Sequence, residues 1–183
     1  MPLADGLTYD CVGATEPAEA RWRAHPAGFL RHESSVVLGR GVKVWDEAVS
    51  QLMDWRVKTA SGFVVQPQGP ATEGADYRVT FPLGPLRVVE PVRVVVVVDA
   101  HDRVGFAYGT AAGHPVAGEE AFVVTRDAEG VVRLVLRSLT RPSTHAGWAL
   151  AFPVLLLVQL LVRRRYRRFL RPAERKVSRR AHR

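Results

Sequence analysis

An α+β fold is predicted for this chain: a curved antiparallel sheet of about six to eight strands packed on a long C-terminal helix and one shorter helix. Three observations lead there. Between Phe63 and Leu139 lie six runs rich in β-branched and aromatic residues, each bounded by turn residues. Val44 to Thr59 carries apolar side chains at three- and four-residue spacings. From Pro153 the chain is apolar up to Val162 and then turns arginine-rich, which places a second helix at about 153–170.

Taken in order, Leu7 to Val12 alternates and reads as a strand. Thr15-Glu16-Pro17 starts a short helical turn through Trp22, with Pro17 where its missing N–H is harmless. Glu33 to Leu38 is a further strand, closed by a turn at Gly39-Arg40-Gly41. In the helix at 44–59, Trp45, Ala48, Val49, Leu52, Met53 and Arg56 form one face, while Asp46, Glu47, Gln51 and Asp54 take the other. The acids fall early, and Arg56 and Lys58 fall in the last turn, as the helix dipole favours. The six later runs are 63–66, 77–81, 86–99, 104–110, 119–125 and 131–139. Val94 to Val98 is five valines in succession and needs a central position covered on at least one face. Val131 to Ser138 alternates, with Arg133 and Arg137 on one side and Val132, Leu134 and Leu136 on the other.

Composition bounds the function classes. With 183 residues, 47% of them hydrophobic, one domain over 1–171 can bury a core, leaving 172–183 as a basic tail. The lone Cys11 excludes an internal disulfide. Of 26 basic residues, 11 lie in 163–183 beside one acid, so residues 1–162 hold 15 basic and 17 acidic groups, a net of −2. A polyanion surface is therefore confined to the tail, and a specific nucleic-acid partner is not expected. Arg163, Arg164, Arg165, Arg167 and Arg168 are the candidates for contact with an anionic membrane surface. A transmembrane span is not expected: Pro153 leaves about ten apolar residues before Arg163, against the ~20 a span needs. Met1 to Thr15 contains Asp5 and Asp10 and lacks a basic start, so a cytoplasmic location is expected, with membrane association as the tail's contribution.

Several strings are familiar together: Val12-Gly13-Ala14-Thr15, Leu38-Gly39-Arg40-Gly41, the Trp45…Ala48…Leu52…Trp55 helix with Gly62-Phe63, and the hairpin Phe106-Ala107-Tyr108-Gly109-Thr110…Gly113-His114-Pro115…Gly118-Glu119-Glu120-Ala121-Phe122. Arg141-Pro142 and Pro153…Gln159…Arg165-Tyr166 complete them. Over roughly 7–171 the chain resembles the bacterial and plant family called domain of unknown function nineteen-ninety, which carries no established activity. The order of elements also resembles the helix-grip (START-like) superfamily, which implies a sheet wrapped on a long C-terminal helix around a cavity. That superfamily places two helices straight after the first strand, whereas here the strand at 33–39 separates two early helical segments.

The densest titratable set is in the hairpin: Tyr108, His114, Glu119 and Glu120 are the candidate catalytic residues, since acid–base chemistry needs two groups whose environments separate their pKa values. Adjacent glutamates on a strand face opposite ways, so at most one enters a cavity; both registers stay open. The bland alternative makes Gly109, Gly113 and Gly118 turn glycines and has the glutamates tie loop amides or Arg141. Trp45, Trp55, Tyr108, His114, Glu120, Arg141 and Trp148 are the candidate ligand contacts, with Trp22 as a further aromatic. Six histidines without HxH or HExxH spacing give no metal site, and no cofactor is expected. Three functions follow. The first is a binding module with an apolar pocket for a small hydrophobic or lipid-like ligand. The second is an enzyme using Tyr108, His114 and Glu119 or Glu120, and the third is a peripheral membrane or partner-docking protein acting through its tail.

Overall fold

A computed structural model of the chain describes residues 6–83 and 86–143. The expected helix at 153–170, Trp148 and the arginine tail lie outside the described residues. Seven strands form one antiparallel sheet: β1 (Leu30–Arg40), β2 (Val64–Gln66), β3 (Asp76–Leu83), β4 (Leu86–Ala100), β5 (Arg103–Thr110), β6 (Val116–Arg126) and β7 (Val131–Pro142). Their order across the sheet is β1-β7-β6-β5-β4-β3-β2. From β2 to β7 each strand pairs with the next, and β1 closes the order against β7. Two helices, α1 (Val42–Met53) and α2 (Arg56–Thr59), lie between β1 and β2.

Short turns set this meander. His101 and Asp102 alone separate the Ala100↔Arg103 pair, and Asp127 Oδ1 accepts the Val131 amide at 2.7 Å to fold β6 back onto β7. A β-bulge between Val94 and Val96 explains the valine run. Before it Val92 and Val94 join the core under the helices, and after it Val97 does so, while Val95 packs against the other face. The run is thus an interior strand covered on both faces.

The two faces carry separate cores. On the inner face, α1 and α2 place Trp45, Ala48, Leu52, Trp55 and Val57 against Val79, Val94, Phe106, Phe122, Leu134 and Leu136. On the outer face the N-terminal segment lies as a strap, packing Leu7, Tyr9, Trp22 and Phe29 on Leu139. The alternation expected in β7 holds: Val132, Leu134 and Leu136 are inner, and Arg137 is outer.

Three expectations are corrected. Residues 7–12 form no strand; one bridge, Leu7↔Ala111, and the bonds of Thr8 to Thr110 and Tyr9 to Glu119 join them to the sheet, because the chain turns at Gly13 (φ +80°) and spends its side chains on the outer core. No helix forms at 15–22, since Glu16 takes a left-handed conformation (φ +46°) and the Thr15 amide is drawn to Glu119. The helix at 44–59 is two helices, broken where Trp55 adopts φ +59°. With that early helix absent, two helices do follow the first strand directly. The start of α1 at Val42 also leaves no acid in its first turn.

Candidate functional site

Strand register builds a polar row on the inner face. Tyr108 pairs with Glu120, Glu120 with Ser138, and Ser138 with His32, so one position from each of β5, β6, β7 and β1 lines up across the sheet. Glu120 therefore shares its side with Phe122 and Val124, and Glu119 points outward.

The break at Trp55 supplies the cation. In one continuous helix Lys58 would stand about 120° from the Trp45–Ala48–Leu52 stripe and face water. The left-handed Trp55 re-aims α2 instead, and Lys58 Nζ reaches Glu120 Oε2 at 3.0 Å with its side chain only 4% exposed. The Tyr108 hydroxyl donates to the same oxygen. The ammonium also lies over the rings of Phe63, Tyr108 and Phe122, at 5.0, 5.1 and 5.6 Å from their centroids.

Two further titratable groups feel this pair. Glu90, half-buried on β4, shares its face with Val79 and Val92; burial, and then the charge of Glu120, push its carboxyl up to about 7 despite Lys58. His114 is buried in the β5–β6 turn, and burial with the Lys58 charge pulls it down to about 3. It is neutral at pH 7, its Nδ1 within 2.9 Å of the Val116 carbonyl and 3.1 Å of the Val116 amide.

Beside the cluster, between α2 and β2, runs a partly open groove of about 400 Å³ lined by Asp54, Trp55, Thr59, Phe63, Val65 and Gln68, among others. Trp55 and Phe63 are walls common to both, since Trp55 stacks at 5.7 Å from Tyr108 and Phe63 carries Lys58. Trp55 is 1% exposed and, among the described residues, its Nε1–H has no acceptor.

Not every candidate named from the sequence is here. Glu119 is enclosed on the outer face, accepting from the Tyr9 hydroxyl, the Gly13 and Thr15 amides and the Thr15 hydroxyl. This burial, and then the nearby carboxylate, raise Tyr9 beyond the ordinary phenol range. Arg141 is also outer, donating to the Thr8 carbonyl and lying over Phe29. Trp22 donates to the Ala14 carbonyl within the strap. Trp45 is inner but beside Arg126, six residues along β6 from Glu120, or about 20 Å. Of the three supposed turn glycines only Gly113 is in a turn; Gly109 is in β5 and Gly118 in β6. Trp148 and Arg163, Arg164, Arg165, Arg167 and Arg168 lie outside the described residues. Among the described residues no group of three or more His, Cys, Asp or Glu side chains is placed to hold a metal ion.

Lys58, Glu90, Ser138 and His32 escaped the sequence reading. Two left signals: Lys58 is one of 3 lysines among 26 basic residues, and Glu90 interrupts an apolar run, Val88-Val89-Glu90-Pro91-Val92. Lysine keeps chemistry that arginine lacks, and a lone acid in a central strand must be accommodated inside.

Solved structures place this architecture in the helix-grip class. A hypothetical protein of Helicobacter pylori aligns with a TM-score of 0.54 at 12% identity, over 78% of this chain and 84% of that one. A norcoclaurine synthase point mutant from Thalictrum flavum, in complex with a transition-state analogue, aligns at 0.51 and 12% identity, over 78% and 92%. At that identity the likeness is one of fold. The chain belongs to the family described as Domain of unknown function (DUF1990), whose model matches residues 8–169. Two UPF0548 proteins are similar in sequence. One, from Arabidopsis thaliana, is 26% identical over 72% of this chain and 67% of its own length. The other, from Deinococcus radiodurans, is 51% identical over 49 residues, 27% of this chain and a quarter of the relative.

Proposed function

We propose that this chain is a binding module whose inner face takes a small, largely apolar molecule and orients it by the Lys58–Glu120–Tyr108 cluster. The observation that carries the reading is a buried ion pair set among aromatic rings beside a 400 Å³ groove. Taking two charges out of water costs several kcal/mol each, and apolar residues of equal volume would stabilise the fold as well or better. A charge pair held at that cost beside an aromatic-walled groove supports a binding site there. Small-molecule sites of this kind join apolar walls to a few polar groups. The buried Trp55 donor, without an acceptor among the described residues, supports the same location. Native mass spectrometry of the purified full chain tests it: a co-purifying molecule, released by Phe63→Glu in the groove wall, is the expected result. A chain that neither carries a molecule nor binds an environment-sensitive apolar dye overturns the reading.

A second reading, acid–base catalysis in the same pocket, is favoured by Glu90, whose carboxyl at about 7 can give and take a proton near neutrality within the field of Lys58 and Glu120. Tyr108 and Lys58 would be proton donors, and neutral His114 an acceptor. The Thalictrum protein of similar fold holds a transition-state analogue, which supports catalysis as a use of this architecture. Among the described residues no helix is long and apolar enough to cross a membrane. Attachment through Arg163–Arg168 is a separate proposal that liposome flotation with and without 163–183 tests.

A further inference from the structure

The charges on the inner face beside the groove say which head group it takes. Lys58 is one ammonium facing two carboxylates, Glu120 and Glu90. Glu120 is occupied by Lys58 and Tyr108. Glu90 is different: among the described residues its carboxylate makes no hydrogen bond and no contact ion pair, although it is half-buried on the inner face. In the groove wall the ionisable group is again an acid, Asp54; Glu90 is not itself in that wall but stands in register with its Val65 through Val79, two strands or about 10 Å away on the same face. Neutral His114 adds no charge. Around these groups stand aromatic faces, which attract cations through the negative face of the ring, and Lys58 itself already lies over three of them. A carboxylate ligand would meet an excess of negative charge, and could gain a cation only by taking Lys58 from Glu120, stranding Glu120 in the interior. The indole N–H of the wall residue Trp55, without an acceptor among the described residues, is a second, independent mark of a ligand site.

We infer that the groove selects molecules bearing a protonated amine on an apolar or aromatic body, with the ammonium directed to Glu90 and the surrounding rings. The selection rests on the binding reading given above. A matched series separates the two: 4-phenylbutylamine, 4-phenylbutanol and 4-phenylbutyrate, each titrated by calorimetry into the full chain at pH 7.4. The amine is expected to bind about tenfold or more tightly than the alcohol, and the carboxylate more weakly than either. Glu90→Gln should bring amine and alcohol to within about threefold while alcohol binding persists, which also reports that the variant is folded. Should that variant fail to fold, Asp54→Asn is the substitute and should lower the amine preference in the same direction. Alcohol binding without an amine advantage, or a carboxylate that binds best, overturns the selection and leaves the binding reading standing. Absence of binding by all three overturns both.

Discussion

Lys58 Nζ sits 3.0 Å from Glu120 Oε2 with almost none of its side chain in water, and single substitutions there have calculable directions. Lys58→Met leaves the Glu120 charge inside without its cation and should destabilise the fold by about 3–5 kcal/mol at pH 7. Removing both charges, as Lys58→Met with Glu120→Leu, should return the urea midpoint most of the way to that of the parent chain, because the desolvation cost leaves with the charges. A double variant no more stable than the single one would contradict this account. Glu90 titrates in the opposite sense to an ordinary salt-bridged acid. Its carboxyl holds a proton more tightly folded, at about 7, than unfolded. The folded state is therefore handicapped by ionisation, not at all below the ordinary carboxylate range and fully above about pH 7. Glu90→Gln should accordingly raise stability by about 1–3 kcal/mol at pH 8 and change it little at pH 4, read by urea unfolding at both values.

At the scale of elements, the N-terminal strap depends on β5, β6 and β7 more than on its own residues. Arg137, 1% exposed, donates to the carbonyls of Thr15, Glu16 and Ala20 and to Glu33, while Glu119 gathers the amides at 13 and 15. Gly109 gives Tyr9 its place: a Cβ there would lie 2.3 Å from the phenol oxygen. Gly109→Ala should push the phenol off Glu119 and cost about 1–3 kcal/mol. Hydrogen exchange should then accelerate first in residues 7–24 and leave α1 and β6 protected, whereas uniform acceleration would mean that strap and sheet are one cooperative unit. The α1–α2 break is the other decisive element. A strong helical period ran through 44–59, and nothing local to Trp55 ends it; the indole is held by Tyr77 at 4.8 Å and Phe106 at 4.6 Å, from two distant strands. Packing with partners far along the chain overrode the local preference, so both the break and the burial of Lys58 were illegible beforehand.

For the molecule as a whole, acid stability follows from His114. Its imidazole is lowered from the usual 6.5 to about 3 in the fold, so the unfolded chain binds the proton more readily. The stability this represents is present above about pH 6.5 and is lost as pH falls toward 3. His114→Gln should flatten the urea-midpoint profile between pH 6 and 4, and an unchanged slope would show that other groups govern acid unfolding. What the amino-acid order determined unaided were the strands at Glu33–Leu38 and from 63 to 139, their antiparallel sheet, the covered central place of the valine run, and the candidacy of Tyr108, His114, Glu119 and Glu120. Those are matters of period two, turn residues and side-chain type, all of which act between neighbours in the chain. Only the tertiary structure decided that Glu120 is inner and Glu119 outer, that residues 7–22 are a strap, and that Lys58 and Glu90 share one buried field. Each of these depends on which distant surface a segment meets, and desolvation, the force that sets the charges of this site, exists only once those surfaces have closed.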